Sequence, residues 1–244
     1  MSKTEYIYNP YPLGKLPKHF QRPEIDLLRE HGYELNDARD AVTIFEKKIA
    51  EFAGSKYAVA VDSCTNAIFL SLKYLKASGE ITFPSRTYVS APMAAVLAGC
   101  DVRFSDYEWS GVYRLEPYPV LDGAVRFTKN MYQKGTYQCL SFQIKKRLPI
   151  GKGGMILTDD PEANRWFRVA AFEGRHLEVP YDKDEFEMIG WNMYMTPEDA
   201  ARGIILFDQL GEELPDSCTH ADYHDLTKKK IFKDGRYCRS LDEG

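Results

Sequence analysis

The stretch Leu140–Gly154, LSFQIKKRLPIGKGG, places Lys145, Lys146 and Arg147 between an apolar run and a paired glycine. Basic runs are usually solvated turns. A lysine in a partly desolvated pocket, however, loses proton affinity and becomes a nucleophile toward aldehydes. Asp122 closes the apolar run PVL and is followed by Gly123 and Ala124. A carboxylate with such small neighbours can approach a flat ligand closely, although an isolated aspartate there is more often a turn residue. Ser63, Cys64 and Thr65 follow the run YAVAVD and open a helical stretch. They are ordinary helix caps, and equally a phosphate nest, because first-turn N–H groups and the helix dipole favour an anion. Tyr88, in SRTYVS, is either core packing or an aromatic plate over a planar group. Taken together, an amine, a carboxylate, a phosphate nest and an aromatic plate are what pyridoxal 5'-phosphate needs from a protein.

Local patterns supply the elements that must carry these groups. Val42, Phe45, Ile49 and Phe52 recur at helical spacing, with Asn36 or Asp37 as a cap and Gly54 as a stop. Strands are expected at 57–62, 80–83, 102–106, 119–124, 136–142 and 153–160. Helices are expected after Ser63, around 89–97, over 161–174 behind a proline, and over 196–211. Strands alternating with helices imply an α/β fold with a mostly parallel central sheet covered on both faces. If 136–142 continues as a strand, Lys145 and Lys146 point to opposite faces and only one reaches the ligand. Residues 1–24 read as an extended arm, and the stretch after Asp216 is polar without a clear period.

The bulk properties set limits. The 244 residues carry a formal net charge of -4, which argues against a general nucleic-acid binder. No apolar run approaches the roughly 20 residues of a membrane-spanning helix, and the first residues lack the apolar core of a signal peptide. The five cysteines are scattered with no CxxC pair, so neither a disulfide framework nor a zinc ribbon is indicated. These features point to a soluble, cytoplasmic protein. Cys218, His220 and His224 have a spacing that could hold a metal, against the simpler reading of stray polar residues.

The order of motifs resembles the DegT/DnrJ/EryC1/StrS family of nucleotide-sugar aminotransferases. FAGSKYAVAVDSCTNAI (52–68) is similar to the family's helix, strand and phosphate loop. FPSRTYVSAPMAAVLAG (83–99) is similar to the segment with the stacking aromatic, and VLDGA (120–124) to the aspartate strand end. SFQIKKRLPIGKGG (141–154) resembles the Ser-Phe-x-x-x-Lys motif, and IGWNMYMTPEDAARGIILFDQL (189–210) the Gly-Tyr-Asn-Tyr-Arg-Met segment. The resemblance implies a fold type I large domain over 25–211, with 212–244 as a short tail or remnant of the family's small domain. It also makes Lys146 the Schiff-base lysine and Asp122 the partner of the pyridine nitrogen. Tyr88 would stack on the ring, Ser63, Cys64, Thr65 and Ser141 would lie at the phosphate, and Asn192 would reach the phosphate of a partner subunit in a homodimer.

The sequence departs from the family at Cys64 (usually glycine), Leu121 (glutamate), Val125 (glutamine), Lys152 (glutamate), Met193 (tyrosine) and Tyr194 (arginine). The resemblance implies that the region 106–120 is shorter than the family's and that most of the family's small domain is not expected within the residues after Leu210. The activity implied is amino transfer from an amino acid, glutamate by resemblance, to a nucleotide-linked keto sugar of 4-keto-6-deoxy type. The rival is a catalytically reduced homologue that binds the cofactor or sugar nucleotide as a scaffold or dimer partner.

Overall fold

The computed structural model describes residues 16–211, 214–233 and Tyr237. The first 15 residues of the expected arm lie outside these. In chain order the elements are α1 (Glu24–Glu30), α2 (Asp40–Ala53), β1 (Tyr57–Val61), α3 (Cys64–Tyr74), β2 (Glu80–Pro84), α4 (Ser90–Ala98) and β3 (Asp101–Ser105). There follow β4 (Tyr113–Arg114), β5 (Val120–Asp122), β6 (Tyr137–Ser141), β7 (Gly154–Thr158), α5 (Pro161–Ala171), α6 (Pro197–Phe207) and α7 (Lys230–Lys233). The elements expected from periodicity are all present within a few residues of their anticipated ends. The cap of α2 differs from expectation. Its N-cap position is Arg39, and Asp40 instead accepts the amides of Asn36 and Asp37, at 2.7 and 3.0 Å. Gly54 ends α2 in the left-handed region at φ 83°, where a side chain would be strained.

The sheet runs β1-β7-β6-β5-β4, and an antiparallel bridge between Thr82 and Glu116 joins it to the β2-β3 pair. The pairings make β1, β2, β3, β5 and β6 point one way and β4 and β7 the other. Connection length explains both reversals. A parallel return needs a crossover of a dozen or more residues, usually with a helix, whereas short links make hairpins. Only residues 115–119 separate β4 from β5, so β4 returns antiparallel. Residues 142–153 contain no helix, so β7 folds back beside β6.

Alternation along the strands sends side chains into a core on each face of the sheet. Val59, Val61, Cys139 and Ile156 meet residues of α3, α4 and α5 on one face. Ala58, Ala60, Leu140, Met155 and Leu157 meet α1, α2 and α6 on the other. The common carboxyl edge of β1, β5 and β6 is therefore left as the opening between helical layers, which is where open α/β sheets bind ligands.

The polar stretch after Asp216 is ordered against this edge. Arg147, beyond β6, donates to the carbonyls of Pro215 and Asp216 at 2.9 and 3.3 Å. Arg126, beyond β5, pairs with Asp216 at 2.7 Å, and the Ser217 amide donates to Val125 at 2.9 Å. The His220 amide then donates to Trp109 at 3.0 Å and the Leu226 amide to Ser85 at 2.8 Å. Leu226 and Phe232 are buried, Phe232 edge-on to Phe104 of β3. These contacts are non-local, which is why no local period announced them. Among the described residues no helix is long and apolar enough to cross a membrane.

Candidate active site

A cavity of about 550 Å³ opens at this edge, lined by Ser63, Cys64, Thr65, Tyr88, Asp122, Ser141 and Lys146 among others. Ser63 caps α3, its Oγ accepting from the Asn66 amide at 3.2 Å. The cap and the nest are thus the same residues, and the first-turn amides of α3 have no acceptor within their own helix. Thr65 Oγ1 donates to Ser90 at 2.8 Å. Glycine is required where β7 begins. A Cβ on Gly154 would stand 2.3 Å from the Ser63 carbonyl carbon and 2.5 Å from the Cys64 nitrogen. Gly154→Ala should therefore push the Ser63–Cys64 loop off the strand at a cost of about 1–3 kcal/mol. A lowered melting temperature together with weakened pyridoxal phosphate uptake would show it; an unchanged titration would refute the coupling.

Asp122 ends β5 on the cavity floor, 7 % exposed. Its Oδ2 accepts from the Tyr113 hydroxyl at 2.7 Å and its Oδ1 from the Ala124 amide at 2.9 Å. Burial pushes its carboxyl above the ordinary value, while these two donors and the Lys146 charge pull it back. Tyr113 is held in turn by Thr87 Oγ1 at 2.8 Å and by Trp109, whose ring centroid lies 4.9 Å away. Tyr113 escaped the sequence reading because it lies on a two-residue strand with no period of its own. Tyr113→Phe removes a donor that favours the carboxylate, so the Asp122 value should rise further. Carboxylate-dependent function would then be lost at a higher pH as pH falls, by roughly one pH unit for a bond worth about 1.5 kcal/mol. An acid limb that stays in place in the pH profile would contradict this.

The two lysines are not separated by strand alternation. β6 ends at Ser141, and both residues sit in the turn that follows, lining the same cavity. They differ in environment. Lys145 is exposed, whereas Lys146 is half-buried and its charge acts on both Asp122 and Cys64. Cys64 is buried with Sγ 4.0 Å from Asp122 Oδ1, and burial raises its thiol well above the ordinary value.

Tyr88 lines the cavity and is 62 % exposed. Asn192 is elsewhere. Its Nδ2 donates to Glu173 at 2.6 Å, and it lines a smaller cavity of about 290 Å³ with Asp62 and Lys152. Lys152 borders both cavities and pairs with Asp62 at 3.3 Å. The substituted segment at Met193 and Tyr194 lies along β1, the Asp62 amide donating to Met193 at 2.8 Å. Lining residues that the sequence reading missed are Ser217, Cys218, Asp222 and Tyr223, contributed by the tail. Among the described residues no group of three or more histidine, cysteine or acidic side chains is disposed to hold a metal, so the Cys218, His220 and His224 spacing does not close into a site.

The donor set suits a flat, phosphorylated aldehyde: a helix amino terminus laid on glycine, a buried carboxylate and a half-buried amine share one wall-to-floor space. An α/β domain carrying that cradle defines the class of pyridoxal-phosphate-dependent transferases. The profile of the DegT/DnrJ/EryC1/StrS aminotransferase family matches residues 31–114 and 123–224, and the chain belongs to this family. The family's cofactor is pyridoxal 5'-phosphate. The spore coat polysaccharide biosynthesis protein SpsC of Bacillus subtilis is 26 % identical over 220 residues, covering 69 % of this chain and 56 % of that protein. GDP-perosamine synthase of Caulobacter vibrioides is 23 % identical over 214 residues, covering 70 % and 57 %. The crystal structure of AtS13 from Actinomadura melliaura shares the fold with a TM-score of 0.65 at 18 % identity, over 76 % of this chain and 64 % of that one. The chain thus spans little more than half the length of the curated relatives it matches.

Proposed function

We propose that the protein is a pyridoxal-phosphate-dependent aminotransferase that moves an amino group from an amino acid, glutamate by family resemblance, to a nucleotide-linked keto sugar of 4-keto-6-deoxy type. The observation that carries the reading is the convergence of Lys146, Asp122, Ser63, Thr65 and Ser141 on one cavity. The cofactor, when bound, supplies an electron-accepting ring that stabilises charge at the substrate carbon. The protein's share follows from its own groups. Ser63, Thr65, Ser141 and the first-turn amides of α3 hold the phosphate. Asp122 keeps a proton on the ring nitrogen, its geometry fixed by Tyr113 and Ala124. Lys146 carries the cofactor in the resting protein and moves a proton to and from the substrate carbon as general base and acid. Tyr88 covers one face of the ring.

The likeness to SpsC and GDP-perosamine synthase supports the sugar side of the proposal. A homodimer with shared sites is part of it, with Asn192 reaching the partner's phosphate. Asn192 follows a stretch whose Ile189 is 85 % exposed and Tyr181 67 % exposed, apolar surface that a second copy would cover. The decisive experiment is pyridoxal phosphate uptake followed by borohydride reduction and peptide mass mapping. A pyridoxyl group on Lys146, with 2-oxoglutarate released when glutamate and a keto sugar nucleotide are supplied, is the expected result. Uptake without any release would favour the scaffold reading.

A further inference from the structure

We propose that the segment 214–226 is the substrate-side wall of the cavity, and that Asp222 and Tyr223 are specificity-determining residues that meet the hydroxyls of the bound sugar. This rests on the aminotransferase reading and adds the part of the chain that would read its substrate.

The segment crosses the strand ends from β6 past β5 to β2, anchored successively on Arg147, Arg126, Trp109 and Ser85. Its cavity-lining residues are Ser217, Cys218, Asp222 and Tyr223. Tyr223 stands over Trp109, ring centroids 5.7 Å apart and 28° from parallel, and Arg86 donates to its carbonyl at 3.4 Å. Its ring is therefore fixed in place. Trp109 also braces Tyr113 beneath Asp122, so the wall and the cavity floor share one aromatic support. Asp222 is held by a turn in which its Oδ2 accepts from the Thr219 amide at 2.8 Å, and its side chain is exposed to the cavity.

A carboxylate beside a phenol and a flat aromatic face matches the chemistry of a sugar. The carboxylate is acceptor-only and can take two neighbouring hydroxyls, and the phenol both donates and accepts. The same carboxylate repels a diphosphate. Lys145 and Lys152 line the cavity from the β6-β7 connection, at the far end of the segment's path, and attract one. The charge pattern thus orients a nucleotide sugar with its sugar toward Asp222 and Tyr223 and its diphosphate toward the lysines.

The test uses the full chain loaded with pyridoxal phosphate, with TDP-glucose and TDP as non-reacting probes. By calorimetry, Asp222→Asn should weaken TDP-glucose about tenfold and leave TDP no weaker, since only the sugar loses a charge-assisted partner while the diphosphate loses a repulsion. Tyr223→Phe should weaken TDP-glucose severalfold with the same selectivity. A second measurement needs no variant. TDP-glucose, but not TDP, should slow iodoacetamide alkylation of Cys218, read by peptide mass spectrometry, with the buried Cys100 and Cys139, which do not line the cavity, as internal references. Equal loss of TDP and TDP-glucose in Asp222→Asn, or a Cys218 rate indifferent to TDP-glucose, overturns the inference. If the wild-type chain takes up no pyridoxal phosphate, the aminotransferase reading fails and this inference with it. Uptake with Cys218 unprotected overturns the inference alone.

Discussion

Lys146→Ala is expected to lose turnover by about 1,000-fold and to lose the visible absorbance that pyridoxal phosphate gives with the wild-type chain, whereas Lys145→Ala keeps the absorbance. The contrast is sharp because the two residues are neighbours in sequence and both line the cavity. Their surroundings separate them. Lys145 stands in water. Lys146 is half-buried, and its charge acts on the Asp122 carboxylate at the floor of the same cavity. Charge alone does not fill this role, so Lys146→Arg should restore neither absorbance nor turnover: a guanidinium does not deprotonate near neutral pH. Mass mapping that places the pyridoxyl group on Lys145, or turnover that survives in Lys146→Ala, would end the proposed mechanism.

Arg168→Ala should cost about 3 kcal/mol, lowering the melting temperature by about 6–12 °C, without touching the cavity. Glu46 of α2 is 4 % exposed, accepts the Ala60 amide at 2.8 Å, and lies 2.8 Å from Arg168 Nη1 of α5. The pair ties helices from opposite faces of the sheet to β1. The low end of the range for a broken buried pair applies, because the Arg168 side chain is 37 % exposed and water screens it. The effect carries a pH signature. Burial raises the Glu46 carboxyl above its ordinary value, and Arg168 limits that rise. A raised folded-state value means that the Glu46 contribution is most favourable below the ordinary carboxyl range. It is lost as pH climbs through the raised value. Removing Arg168 enlarges the rise, so the deficit against wild type should be greatest at neutral pH and shrink as the solution is acidified. A deficit of the same size at pH 5 and pH 8 would show that Arg168 acts through packing instead.

The strand reversals, Tyr113 and the tail share one theme. The stretch between β3 and β5 makes a tight hairpin, and that hairpin delivers the hydroxyl that steadies Asp122. The tail closes over the same edge, bracing Trp109 from above. The hairpin and the tail thus meet at a single aromatic support, Trp109.

The local code determined most of the scaffold. Helical spacing of Phe45 and Ile49, the glycine stop at Gly54, the proline starts of α5 and α6 and the apolar runs of the strands are properties of neighbouring residues, and each formed as its period required. Motif order also brought Ser63, Asp122, Ser141 and Lys146 into consideration together, since strand ends on one edge must converge. Contacts between residues far apart in the chain were decided only on folding. Tyr113 reaches Asp122 through a hairpin with no period, Lys145 and Lys146 share the turn beyond β6, and Tyr223 reaches the cavity from a polar tail. Periodicity reports which face a residue presents, but only packing selects the partner that covers it.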